Sequence, residues 1–198
     1  MASRNKGDNS STKKVVISVF FAFIMVSSML AIMFSGYNQS TDIEYDGHIF
    51  KQQGGYWVTK LDKTQIKIMS NPSNLAPLKV DDAIAQKLST GYQLFISTPL
   101  TSQYKEYAGQ AAYDLADYLT TKGIQSSVAI SDDNTGYPKV PLITCENATA
   151  ALPVVMFEET NQSSITLEGN CIRISGTTGS DFIAYKDRLV LKLSGIMP

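Results

Sequence analysis

Cys145 and Cys171 are the only cysteines in this chain. Two thiols without histidine neighbours offer too few donors for zinc, and their spacing is not C-x-x-C, so a disulfide fits them better than metal or redox chemistry. Closing a loop of that length would stabilise the fold by about 3.5 kcal/mol in a chain-entropy account. Carboxylates are the other candidates. Glu146, Glu158, Glu159 and Glu168 gather around the cysteines in sequence, and paired carboxylates are what glycoside hydrolysis uses. Glu158-Glu159 directly after a strand more simply marks where the chain reaches solvent. Asp81 and Asp82 open a helix, where orphan amides favour a carboxylate, so capping accounts for them.

The lone histidine, His48, excludes a His-rich metal site. A Ser-His-Asp hydrolase would have to use it, yet it follows the Asp46-Gly47 turn and no G-x-S-x-G elbow accompanies it. Neither G-x-G-x-x-G nor GxxxxGK[ST] occurs, so no cofactor is expected. Gly176-Thr177-Thr178-Gly179 could form an amide nest for an anion but has no basic partner. The polar loop 131–138 lies at the C-terminal end of an expected strand, where open α/β sheets bind ligands, but it lacks the calcium-loop pattern. No catalytic, cofactor-binding or metal residue emerges. Three sequons could carry glycans, at Asn38, Asn147 and Asn161.

The elements that must position these groups follow from periodicity. Residues 15–34 carry no charge and only Ser18, Ser27 and Ser28 are polar; as a helix they would extend about 30 Å, the thickness of a bilayer core. Arg4, Lys6, Lys13 and Lys14 precede this stretch, whereas Asp42, Glu44 and Asp46 follow it, which places the N-terminus in the cytosol by the positive-inside rule. The expected organisation is a disordered cytosolic tail (1–14), a transmembrane helix (15–35), a linker (36–47) and one extracytoplasmic domain (48–198).

That domain reads as mixed α/β. Alternating segments around His48, Tyr56 and Gln65 predict a three-strand antiparallel meander. A strand at 93–97, a helix over 103–122 with Ala108, Ala111, Ala112, Leu115 and Leu119 on one face, and a strand at 127–130 predict a right-handed βαβ unit. Three further strands lie at 153–157, 164–167 and 171–174. A closing helix, capped by Asp181 and ended by Gly195, completes the domain.

Residues 141–149 (PLITCENAT), Asn170-Cys171-Ile172 and the segment from Asp181-Phe182-Ile183 to Leu193-Ser194-Gly195-Ile196, taken with the apolar span, resemble a group of uncharacterised archaeal single-pass proteins. The resemblance covers the C-terminal third best. It implies a membrane-anchored outer domain with a cysteine pair and carries no activity.

The balance of 17 basic against 18 acidic residues argues against nucleic-acid binding, which needs a basic surface to displace counterions. The functional expectation is therefore a membrane-anchored, non-enzymatic accessory or interaction protein of the cell envelope or of a membrane complex, touching lipid through residues 15–34 and a membrane or envelope protein through its outer domain. The alternative is an extracytoplasmic carbohydrate- or peptide-binding or hydrolysing module, with Tyr104, Tyr107 or Tyr137 beside paired carboxylates.

Overall fold

The computed structural model describes residues 9–35, 42–133 and 135–198, with side chains of the first helix described over 15–29. The expected tail at 1–8 and the expected linker at 36–41, including Asn38, lie outside the described residues, as does Asn134. The chain divides into two units, Met1–Thr41 and Asp42–Pro198.

The first unit is the helix α1, Asn9–Ser35. Ser28 returns its hydroxyl to the Ile24 carbonyl at 2.8 Å, one turn back, which removes a polar cost inside an apolar sequence. The expectation of a membrane span is corrected here: among the described residues no helix is long and apolar enough to cross a membrane. The membrane anchor, the topology with a cytosolic N-terminus and an extracytoplasmic domain, the lipid contact and the membrane or envelope partner all rested on that span and fall with it.

The second unit is a mixed α/β domain. It opens with a four-stranded antiparallel meander, β1 (Ile43–Tyr45), β2 (His48–Gln53), β3 (Tyr56–Leu61) and β4 (Thr64–Ile68), in sequential order. The sequence predicts three strands; Ile43–Tyr45 adds a fourth by pairing Tyr45 with His48 across the Asp46-Gly47 turn. Gly54 (φ 56°) and Gly55 (φ 84°) close the β2–β3 hairpin with two left-handed residues, a conformation glycine adopts without steric cost. Alternation then sorts the faces: Phe50, Ile66 and Ile68 are buried, while Gln65 and Lys67 point outward.

Two short helices, α2 (Pro72–Leu75) and α3 (Asp82–Thr90), lead into a five-stranded sheet of order β6-β5-β7-β9-β8. β5 (Gln93–Thr98) and β6 (Gln125–Ile130) are parallel and joined by α4 (Lys105–Thr121), the expected βαβ crossover. β7 (Val154–Glu159) lies on the other side of β5, β9 (Cys171–Gly176) beside β7, and β8 (Ser164–Glu168) runs antiparallel at the edge. The helix α5 (Gly179–Leu193) closes the domain.

Helices α4 and α5 pack side by side on one face of this sheet, and the inner face of the meander joins the same core. Ala108, Ala111 and Ala112 let α4 approach closely, and Leu115 and Leu119 are fully buried, each contributing about 1.5–3 kcal/mol of apolar transfer. On the opposite face a strap containing Ile143, Cys145 and Ala148 packs on Val154, Met156 and Cys171. The disulfide joins Cys145 to Cys171 with 5.2 Å between Cα atoms and ties that strap to β9.

Candidate binding groove

A cavity of about 710 Å³ lies between the meander and α4. From α4 come Tyr113, Asp114, Asp117, Tyr118 and Thr121; from the meander come Gln53, Tyr56, Val58, Lys63, Gln65 and Lys67. On the helix, positions 114, 117, 118 and 121 follow the i, i+3, i+4, i+7 spacing that makes one stripe, set beside the alanine stripe facing the sheet. On the meander, Val58 pairs with Lys67 and Lys60 with Gln65, so these residues share the outward face.

Asp114 connects the groove to a buried ion cluster. Lys186 is fully buried, donates to Asp114 Oδ2 at 3.2 Å and also pairs with Asp187, itself fully buried. Asp187 Oδ2 accepts the amides of Met69 (3.0 Å) and Ser70 (2.7 Å), binding α5 to the exit of the meander. Asp114 Oδ1 accepts from Gln110 Nε2 at 2.8 Å and from the Tyr56 hydroxyl at 3.3 Å. Two carboxylates thus share one ammonium. Burial pushes the Asp187 carboxyl above its ordinary range, against the pull of Lys186 and the Ser70 amide. Burial, reinforced by Asp114, likewise raises the Tyr56 phenol.

Tyr118 stands differently. Its side chain is 6% exposed and its hydroxyl has no hydrogen-bond partner, a state that costs about 1–3 kcal/mol for a buried polar group. Burial alone raises its pKa. Lys122 Nζ lies 5.6 Å from the centre of the same ring, within reach of a cation–π contact.

The carboxylates singled out in the sequence are engaged elsewhere. Asp132 accepts from the Leu100 and Thr101 amides, each at 2.8 Å, so the polar loop after β6 serves to hold the β5–α4 connection. Burial raises the Asp132 carboxyl, but these bonds and the Thr101 hydroxyl outweigh it and hold the group below its usual range. Glu159 accepts from Ser102 (2.6 Å) and Gln103 (2.8 Å). Glu158 and Glu168 flank Arg173, each at 2.8 Å, and Glu146 lines a smaller cavity of about 350 Å³ with Glu158, Arg173 and Cys145. Glu158 and Glu168 are thus neutralised by one arginine beside this cavity, and Glu159 is held by Ser102 and Gln103.

The amide nest before α5 is filled from within the chain. Thr177 and Thr178 both donate their amides to Asp181 Oδ2, at 3.0 and 2.8 Å. Thr178 is the N-cap and Asp181 the third helical residue, which corrects the expectation that Asp181 itself caps the helix. Asp81 does cap α3, accepting the Ala83 amide at 2.8 Å, and Asp82 pairs with Lys192 at 2.5 Å.

His48 begins β2 and lines a cavity of about 530 Å³ on the outer face of the meander. Among the described residues no three His, Cys, Asp or Glu side chains gather to hold a metal. Tyr104 packs at the edge of the core, Tyr107 covers Gly179 so closely that a Cβ there would come within 2.4 Å of its ring, and Tyr137 is exposed on the loop after β6. None of the three lines the groove. Asn147 and Asn161 are both exposed at turns.

The groove residues Tyr56, Tyr113, Asp114, Asp117 and Tyr118, and Lys186 behind Asp114, escaped the sequence reading. The stripe on α4 was the available signal, but a polar stripe on an amphipathic helix ordinarily faces solvent.

Comparison with protein-family models, with curated proteins and with solved structures finds no match. The resemblance to archaeal single-pass proteins is thereby corrected: no relative supports it, and among the described residues no helix is long and apolar enough to cross a membrane.

Proposed function

We propose that the α/β domain is a binding module whose ligand occupies the groove between the meander and α4. The observation that carries this reading is the groove's construction. A cavity of about 710 Å³ falls within the size range of small-molecule sites, and side chains able to hydrogen-bond converge on it from two separate elements. The Lys186 cluster beneath fixes those elements against each other, so the walls are preorganised before a ligand arrives.

A binding role fits this surface better than a catalytic one. Glu159, Asp132 and Asp181 each accept two or more protein hydrogen bonds, and Asp114 is matched by Lys186. A general acid or base must exchange its proton with substrate; carboxylates held in this way anchor structure.

The test is a screen of small polar fragments against the full chain by amide NMR. Shift changes should gather at residues 53–67 and 113–121, and Asp117→Ala should weaken the binders found there. Binders that gather elsewhere, or that ignore Asp117→Ala and Tyr113→Ala alike, would overturn the reading.

A further inference from the structure

The two walls of the groove carry opposite charges, and this step rests on the binding role proposed above. Asp117 is exposed on the helix wall, and Lys63 and Lys67 are exposed on the meander wall. The acidic side chains held in ion pairs among the described residues are Asp42, Asp82, Asp114, Asp187, Glu158 and Glu168. Asp117 enters none of these pairs, and neither Lys63 nor Lys67 does. The three charges thus line one cavity without reaching each other. Asp114 differs: Lys186, Gln110 and the Tyr56 hydroxyl already occupy it, so Asp117 is the free carboxylate of the groove.

A plain cation on Asp117 would face two ammonium groups across the groove, and a plain anion on the lysines would face Asp117. A molecule with one charge of each sign at its two ends is attracted at both walls. Beside the lysines, Gln53 and Gln65 are exposed, and each offers one carbonyl and one amide nitrogen. Those are the acceptor and donor that complement a peptide bond. Tyr113 lies four residues before Asp117 on α4 and is 69% exposed, so its ring stands next to the carboxylate as an apolar surface for a side chain. We infer that the groove takes a short peptide with both ends free, its ammonium on Asp117 and its carboxylate on Lys63 and Lys67.

The experiment screens the full chain against a pool of Ala-Xaa-Ala tripeptides by amide NMR. The best member is then titrated by calorimetry with free ends, N-acetylated, C-amidated and blocked at both ends. The free form should bind saturably with shifts confined to residues 53–67 and 113–121. Each single block should weaken it about fivefold, the upper end of the range for an exposed ion pair. Asp117→Asn should bind the free and N-acetylated forms alike while still rejecting the C-amide. Lys63→Gln combined with Lys67→Gln should do the reverse, a crossed pattern that general damage to the fold does not produce. Absence of tripeptide binding, or loss of affinity for all four forms alike in both variants, overturns the inference. A doubly blocked peptide or an uncharged fragment saturating these residues as tightly as the free form would overturn the ligand class and leave the binding role standing. Tripeptides and fragments that all shift another surface would overturn both.

Discussion

Lys186 on α5 reaches Asp114 on α4 at 3.2 Å from a position closed to solvent, and its neighbour Asp187 turns the other way to receive the amides of Met69 and Ser70. Adjacent residues of one helix thus fasten two different elements to it. Removing one partner of a buried pair is far costlier than the pair is worth, because the survivor keeps its charge without compensation. Lys186→Met should lower stability by about 3–5 kcal/mol, read from urea midpoints. Asp187→Asn, whose amide oxygen can still accept from Met69 and Ser70, should cost less. Equal losses would show that the charge of Asp187 matters more than its two backbone bonds.

Acid stability should be set by Asp181 and Asp132. Burial raises the Asp181 carboxyl, but bonds from Ser163, Thr177 and Thr178 outweigh it and hold the group below its usual 3.8. A folded-state pKa below the unfolded one means the unfolded chain takes up the proton first as pH falls. The stability Asp181 contributes is present above about pH 4 and lost on descending through its folded value. Asp187, raised by burial, acts in the opposite sense, since protonation relieves its desolvation. Asp181→Asn should cost about 1–2 kcal/mol at neutral pH. Its urea midpoints should converge on those of the parent below pH 4. Parallel curves down to pH 2 would contradict this.

Replacing Cys145 and Cys171 together by alanine should lower stability by about 2–4 kcal/mol. The loosened part should be the strap over Val154 and Met156, so amide exchange should quicken at residues 143–148. The groove, built from the meander and α4, should exchange as before.

Gly176 ends β9 against Phe182; a Cβ there would stand 2.8 Å from the ring. Phe182 is fully buried and meets Phe157 edge to face at 5.9 Å, so it has nowhere to retreat. Gly176→Ala should destabilise by about 1–3 kcal/mol through overpacking. Adding Phe182→Leu should recover part of that loss, a coupling that a double-mutant cycle measures.

Much of the architecture was legible in local pattern. Alternation around Tyr56 and Gln65 marked the meander, alanine spacing from Ala108 to Leu119 marked the crossover helix, and Asp81 marked the start of α3. These signals are local because burial follows a period of two or 3.6 residues along the chain. The strand Ile43–Tyr45 was hidden because three residues carry too little pattern, and it exists only through its pairing with β2. The groove was illegible for a related reason. Asp114 reads as an exposed helix carboxylate and Lys186-Asp187-Arg188 as a solvated face. Only the covering of α5 by α4, β4 and β9 takes those charges out of water, and that arrangement is a property of the topology. The apolar run 15–34 misled in the other direction: composition marked it as a membrane span, whereas among the described residues no helix is long and apolar enough to cross a membrane.

The bond from Met69 to Asp187 joins residues 118 positions apart, and the Ser70 bond beside it joins residues 117 apart. The opening hairpins and the closing helix of the domain are therefore halves of a single structural seam. A fragment that stops before Lys186 would leave Asp114 without its ammonium and two backbone amides without their acceptor, and one that starts after Ser70 would take both amides from Asp187. The stretch Asp42–Pro198 is in this sense indivisible: limited digestion should leave it whole or destroy it, with no smaller stable piece between.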